Sequence, residues 1–226
     1  MIKKTEHNLM ILSIIFIVSL IIANVTAPKL MDLPFRIFTE YRATFSVAVF
    51  MYAITFLVAD IVGEIWDKKT AKKLIIYGFF AQIFASILIL IGFVLPASEA
   101  FAHRQDAYRE LLGFNWLIVI GSLTAYIVSK WTDVHIFFYI KAKTNSKHKW
   151  LRNNVSTILS QFIDTVIFSV IGFGLSNIVG FNFTLLDVIV ASFLIKVLVA
   201  IAETPFFYFF TGKEMKFGKE TVQEGE

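Results

Sequence analysis

Six long apolar segments, separated by short polar stretches, make up most of the chain. A membrane-spanning helix needs about 20 mostly apolar residues, and each segment is long enough. None has the strict alternation of apolar and polar positions that is typical of a strand in a membrane β-barrel. The sequence therefore predicts an all-α integral membrane protein with six transmembrane helices. The predicted spans are 8–28, 44–66, 73–96, 114–141, 154–177 and 184–211.

The segments outside the spans are polar, and two of them are more than simple turns. The connection 96–114 places Phe101, Tyr108 and Leu111 among charged residues. That pattern predicts a short surface helix, either an interfacial cover or a lid over a substrate. Residues 1–212 are predicted to form one six-helix transmembrane domain, and 213–226 a polar, disordered cytoplasmic tail.

Basic residues are distributed unequally between the two sides of the predicted spans. Fourteen of the 21 Lys and Arg residues fall on the side that includes both termini, and five fall on the other side. Connections rich in Lys and Arg stay in the cytoplasm. Both termini are therefore predicted to be cytoplasmic, in a multi-pass protein of the cell membrane.

Composition agrees with a lipid environment and excludes several classes of site. The chain is 57% hydrophobic and its mean hydropathy is +0.72, whereas soluble domains average about 45–50% apolar residues. The chain has no cysteine, so it can form neither a disulfide nor a thiolate metal site. The net charge of +4 lies in clusters beside the spans, which argues against a nucleic-acid partner. No cofactor or metal is predicted.

Charged residues also occur inside the predicted spans, where each costs roughly 2.5–3.5 kcal/mol on insertion scales. At about 1.5 Å of rise per residue, Asp164 and Lys196 both lie near the middle of the membrane. We therefore expect them to form an ion pair between two helices. Ion pairs that only hold the helices together are the alternative to a functional site, but the excess of acids over bases favours the latter. The charged set is Asp60, Lys130, Asp133, Asp164, Lys196 and Glu203, with Glu64 nearer the cytoplasmic interface.

Uncharged polar residues extend this set. Asn24 lies in the first span, and Ser156 and Gln161 lie in the fifth. Gln161 shares a helical face with Asp164 because side chains three or four positions apart lie one above the other. Gln82 is alone in the third span, and its isolation favours a hydrogen bond between helices over a ligand contact.

The sequence contains the four stretches FMYAITFLVADIVGEIWDKKTAKKLI, WTDVHIFFYIK, NNVSTILSQFIDT and IKVLVAIAETP. Together they resemble the queuosine precursor transporter family, also described as vitamin uptake transporters. The resemblance covers all six spans and implies an inner-membrane importer of 7-deazaguanine precursors of queuosine (preQ0 and preQ1) without its own ATPase. It implies substrate binding by Asn24, Asp60, Asp133, Ser156, Gln161, Asp164 and Lys196. Further candidates are Glu64, Lys130, Glu203, Phe50 and Phe162.

The chemistry of these side chains suits a small nucleobase-like substrate. A carboxylate can accept the adjacent ring N–H and exocyclic amine of a 7-deazaguanine, while a lysine can donate to its carbonyl oxygen. Phe50 or Phe162 would supply an aromatic wall for the flat ring.

Two other classes of protein remain open from the sequence. A substrate-binding membrane subunit of an ATP-driven uptake system would have a similar size, although the bulky first span lacks a small-residue docking face. An intramembrane enzyme is also conceivable, but HExxH, GxSxG and cysteine nucleophiles are missing from the sequence. The solute, any coupling ion and homo-oligomerisation are not determined by these patterns.

Overall fold

The computed structural model describes residues 2–34, 44–113, 115–144, 149–174 and 185–211. Most of these residues are helical, as the hydrophobic pattern predicts. Each of the six predicted apolar segments contains one long helix, and the connection 96–114 contains a short one. The α-helices of the described residues are α1 (Glu6–Thr26), α2 (Ala48–Ile65), α3 (Lys68–Val94), α4 (Gln105–Gly113), α5 (Asn115–Lys143), α6 (Lys149–Phe168) and α7 (Leu185–Thr211).

Shorter elements join or extend these helices. A 3-10 helix, Glu99–Arg104, leads directly into α4, and a π-helical segment, Ser169–Gly174, continues α6. Strands β1 (Leu30–Asp32) and β2 (Thr44–Ser46) pair in antiparallel orientation between α1 and α2. Residues 175–177 of the fifth predicted span and the predicted tail 213–226 lie outside the described residues.

Strand β2 corrects the predicted start of the second span. Residues 44–46 are not helical but pair with β1, with Leu30 opposite Ser46 and Asp32 opposite Thr44. Two side chains hold this geometry: Thr44 donates to Asp32 Oδ1 at 2.9 Å, and Ser46 donates to the backbone oxygen of Ala27 at 2.8 Å. Extended pairing satisfies backbone groups that an uncapped helix end would leave without partners.

The first three helices pack through their apolar faces and establish the register of the bundle. Phe16 of α1 lies in one buried cluster with Val62 of α2 and Leu74 of α3. Further along α1, Ala23 packs against Ala48 at the beginning of α2. Helices α1 and α2 are therefore antiparallel, whereas α1 and α3 run in the same direction.

The outer surface of the bundle is apolar. Helix α1 and residues Lys69–Val94 of α3 are long and apolar enough to cross a membrane, and shorter apolar helical stretches occupy 48–63, 118–129 and 158–172. Large apolar side chains are exposed along both long helices. Such a surface is expected in contact with lipid and is rare in contact with water. Examples are Ile14, Val18, Phe80, Phe84 and Val94. These features are those of a helical membrane protein.

Helix α3 begins at Lys68, five residues before the predicted span, because Asp67 caps it. The two carboxylate oxygens of Asp67 accept from the backbone N–H and the hydroxyl of Thr70, at 2.8 Å and 2.9 Å. These bonds stabilise the ionised carboxylate and hold the pKa of Asp67 below its ordinary value of 3.8.

Replacing Asp67 with alanine should lower the melting temperature at neutral pH, because the first turn of α3 loses its cap. A lowered pKa in the folded state contributes stability above the ordinary pKa and loses it as the pH falls through the folded-state value. The difference in melting temperature between the variant and wild type should therefore become smaller below pH 3.8. Thr5, whose hydroxyl caps α1 at 3.2 Å from the Asn8 nitrogen, is the control. Thr5→Ala should give an offset that does not depend on pH.

Two helical glycines make a matched test of the contact between α1 and α3. A Cβ atom at Gly78 would lie 2.5 Å from Phe16 Cε1 and 3.2 Å from Leu20 Cδ2, whereas one at Gly63 would meet only Ala71 Cβ at 3.6 Å. Gly78→Ala should therefore destabilise the protein by about 1–3 kcal/mol through overpacking. Gly63→Ala should be neutral or stabilise it by up to about 1 kcal/mol. Thermal unfolding of the purified protein measures both, and equal effects would contradict this packing.

Candidate functional site

The ion pair expected between Asp164 and Lys196 is present and joins α6 to α7. Lys196 Nζ lies 2.8 Å from Asp164 Oδ2 and also donates to Thr165 Oγ1 at 3.0 Å. The hydroxyl hydrogen of Thr165 is donated to the backbone oxygen of Gln161 at 2.8 Å, so its oxygen is free to accept from the lysine. The ammonium group is thus held by two acceptors on successive residues of α6.

Among the residues that the structure describes, both members of the pair keep hydrogen-bonding capacity for a further partner. Asp164 Oδ1 has a bond from Ser129 at 3.4 Å, but the same hydroxyl donates to the Tyr126 backbone oxygen at the shorter distance of 3.1 Å. A lysine ammonium has three N–H donors, and two are used in the contacts to Asp164 and Thr165. The pair therefore presents an acceptor and a donor side by side, with 24% of the Asp164 side chain and 11% of the Lys196 side chain exposed.

A second polar cluster joins α1, α2 and α5. The Tyr52 hydroxyl lies 2.6 Å from Ser122 Oγ and donates to Asn24 Oδ1 at 3.4 Å. Asn24 is fully buried, and its amide nitrogen donates to the backbone oxygen of Leu20 at 3.0 Å. These contacts place the predicted site residue Asn24 in a hydrogen-bonded network between helices.

Helix α5 connects the two clusters. Ser122 and Ser129 are seven residues apart and lie on one face of the helix, roughly 10 Å apart along its axis. Ala125 is buried between them. The clusters therefore belong to one polar interior.

Close backbone contact at Gly121 brings α5 against the π-helical segment. A Cβ atom at Gly121 would lie 3.1 Å from the backbone nitrogen of Gly172, so a larger residue there would push the two elements apart. Ser122, the next residue, is thereby held at the interface between helices. Ser169, the first residue of the π-helical segment, is also buried. Segments of π-helix inside α-helices occur frequently at functional sites.

Asp187 is a buried acid that the sequence analysis did not select. It lies in the first turn of α7 and none of its surface is exposed. The positive end of the helix dipole stabilises a carboxylate at this position. Asp187 lies three residues into the predicted span 184–211.

The structure locates only some of the predicted site residues. Besides Asn24, Asp164 and Lys196, it shows Gln161 half-buried, one helical turn before Thr165. The other polar candidates have their backbones in α2, α5, α6 and α7, but their side chains lie outside the described part of the structure. These are Asp60, Glu64, Lys130, Asp133, Ser156 and Glu203.

The two aromatic candidates are both partly exposed. Phe50 and Phe162 each have 44% of their surface exposed. The Phe162 ring packs edge-to-face against Phe193 of α7 at a centroid distance of 5.4 Å, and Phe50 packs similarly against Phe45 at 6.0 Å. Their predicted role as a wall for a planar ligand stays a prediction.

Several residues of the polar interior were not selected from the sequence: Tyr52, Ser122, Ser129 and Thr165. The serines do carry a signal, because small polar residues seven positions apart in an apolar helix mark one face. Within the described residues, no three His, Asp or Glu side chains are grouped so that they could hold a metal ion.

A double-mutant cycle on the ion pair measures how strongly its two members are coupled. Lys196→Met and Asp164→Leu should each destabilise the protein by about 1–3 kcal/mol, because each leaves one charge without its partner in a medium of low polarity. The loss should be smaller than that for a fully buried pair, because both side chains are partly exposed. The double variant should recover a large part of either loss. Thermal unfolding of the purified protein reports this coupling, and Ser129→Ala serves as a control with a smaller effect. Additive losses would contradict the pair.

Comparison with known proteins agrees with this architecture. Residues 46–210 match the family model described as "Putative vitamin uptake transporter". The chain is also 30% identical over 161 residues to a Bacillus subtilis (strain 168) protein named "Probable queuosine precursor transporter", and the match covers 70% of this chain and 68% of that protein. No solved structure matches the chain. The matched family region includes Asp164 and Lys196, and the chain belongs to the vitamin uptake transporter family.

Proposed function

We propose that this protein imports 7-deazaguanine precursors of queuosine, such as preQ0 and preQ1, across the cell inner membrane. The observation that carries the proposal is the Asp164–Lys196 pair, which offers a hydrogen-bond acceptor and a donor inside the helix bundle. The name of the Bacillus subtilis relative, a probable queuosine precursor transporter, supports this class of solute. Transport, not catalysis, is the activity proposed.

The donor and acceptor of the ion pair match one edge of such a base. A 7-deazaguanine carries a ring N–H beside a carbonyl oxygen. Asp164 Oδ1, whose one hydrogen bond among the described residues is the 3.4 Å contact from Ser129, would accept the ring N–H. The third N–H of Lys196 would donate to the carbonyl. Hydrogen bonds to ionised groups are stronger than those between neutral groups, so this contact would supply much of the recognition.

We further propose that the protein crosses the membrane six times with both termini in the cytoplasm. The distribution of Lys and Arg supports this orientation. From its start at Leu185, α7 rises roughly 16 Å to Lys196, about half of a hydrocarbon core about 30 Å thick. A charged pair at that depth lies between the two aqueous compartments. A substrate site in a secondary or facilitative transporter must lie there too.

The test is restoration of queuosine in tRNA. The chain is expressed in a host that can complete queuosine synthesis but can neither make nor import the precursor. The host is fed preQ0 or preQ1 at low concentration. Expression of the wild-type chain should restore queuosine. Asp164→Asn should reduce the rate of uptake by a factor of ten or more, since one charged hydrogen bond is worth about 1.5–3 kcal/mol.

Asp106→Asn is the matched control, because Asp106 lies exposed on α4 and outside the polar interior. It should retain full uptake at the same level of protein in the membrane. Full uptake by Asp164→Asn would exclude the proposed role of this carboxylate. Failure of the wild type to restore queuosine, with the protein present in the membrane, would exclude these solutes.

A further inference from the structure

Gln82 occupies the middle of α3 and is buried among apolar helices. Only 1% of its surface is exposed. Its described hydrogen bonds stay within its own helix: the amide nitrogen donates to Ser86 Oγ at 3.2 Å, and the Ser86 hydroxyl donates to the Gln82 backbone oxygen at 2.8 Å. The bond between helices that the sequence favoured is thus not formed within the described part of the chain.

The side-chain oxygen of Gln82 is the atom left without a partner. Oε1 is buried and has no hydrogen bond within the described part of the structure. In this arrangement the Ser86 hydroxyl donates its single hydrogen to the Gln82 backbone oxygen and accepts from the amide nitrogen, so it does not donate to Oε1. A buried acceptor without a donor costs about 1–3 kcal/mol.

The packing register places Gln82 level with the Tyr52 cluster. Gly78 of α3 lies against Phe16 and Leu20 of α1, and the two helices run in the same direction. One helical turn further along both helices, Gln82 stands opposite the turn of α1 that ends at Asn24. Gln82 therefore belongs to the same layer of the bundle as Asn24.

Most donors of this layer are engaged within the protein, and none of them bonds to Gln82 Oε1 within the described part of the structure. The Asn24 amide donates to the Leu20 backbone oxygen, and the Thr55 hydroxyl donates to the Tyr52 backbone oxygen at 2.6 Å. Tyr52 and Ser122 share a short bond of 2.6 Å. Gln82 Oε1 can therefore accept a hydrogen bond, and no described donor of this layer supplies one.

We infer that Gln82 Oε1 is a substrate contact that accepts the N–H of the five-membered ring of a 7-deazapurine. The inference rests on the proposed function. The bicyclic base would lie along the α5 face with its six-membered ring at the Asp164–Lys196 pair and its five-membered ring towards Gln82. The two clusters are roughly 10 Å apart along α5, a span comparable with such a base and one hydrogen bond at each end.

Binding of two probes to the purified protein tests this inference. The probes are 7-deazaguanine and its analogue methylated at the five-membered-ring nitrogen, which lacks the N–H. Wild type should bind the unmethylated base roughly tenfold more tightly, the cost of one hydrogen bond left unmade. Gln82→Met keeps the length of the side chain and removes the acceptor, so the preference should disappear. The melting temperature should be equal or higher, because a buried amide without a full set of partners has been removed.

Leu74→Ala is the control for stability. Leu74 is buried in the cluster that contains Phe16, so this variant should lower the melting temperature and keep the preference between the two probes. If Gln82→Met does not fold, Ser86→Ala decides the question, because it frees the amide to rotate and should reduce the preference.

The outcomes separate the inference from the function on which it rests. Binding by wild type with a preference that persists in the Gln82→Met variant, or in a Ser86→Ala variant used in its place, would overturn the role of Gln82 and leave the proposed function intact. The preference should also persist if Oε1 accepts a hydrogen bond from a water molecule and not from the base. Wild-type protein that binds neither probe would overturn the proposed function and this inference together.

Discussion

Two opposite charges inside a lipid-embedded bundle constrain the rest of this structure. A charge that faces hydrocarbon is costly, and each member of the Asp164–Lys196 pair reduces that cost for the other at 2.8 Å. The pair requires α6 and α7 to lie side by side at one level, and Thr165 and Ser129 supply further contacts. Buried ion pairs seldom add net stability compared with apolar packing. This agrees with the proposed role of the pair in ligand recognition.

Small side chains allow a polar interior to form beneath an apolar surface. Gly121, Ser122 and Ala125 let α5 approach its neighbours closely, while large apolar side chains face outwards on α1 and α3. Lipid gives no hydrophobic driving force between helices, so close packing and hydrogen bonds hold them together. The Tyr52 and Asp164 clusters are consequently structural links between helices that also supply hydrogen-bonding groups to the interior. A ligand that replaces one of their weaker contacts would bind without breaking the bundle.

The sequence predicted the helices and the ion pair, because both follow from strong local signals. Long apolar runs mark helices in lipid, and helical rise places Asp164 and Lys196 at the same depth. It did not predict β2, since three residues with mixed polarity can begin a helix or form a strand. It also did not select Tyr52, Ser122 or Asp187. Their burial depends on which helix faces meet, and a single sequence does not contain that information.

If Asp164 contacts substrate during transport, water and substrate must both reach the region around it. The chain has no cysteine, so Ser129→Cys introduces a single thiol beside Asp164. Thiolates react with methanethiosulfonates only where water reaches them. We expect a membrane-impermeant reagent to modify this cysteine, and preQ1 to slow the modification. Ser98→Cys, at an exposed position, should react whether or not preQ1 is present. A cysteine at position 129 that does not react would show that water does not reach Asp164. One that reacts equally fast with preQ1 present would show that preQ1 does not bind there.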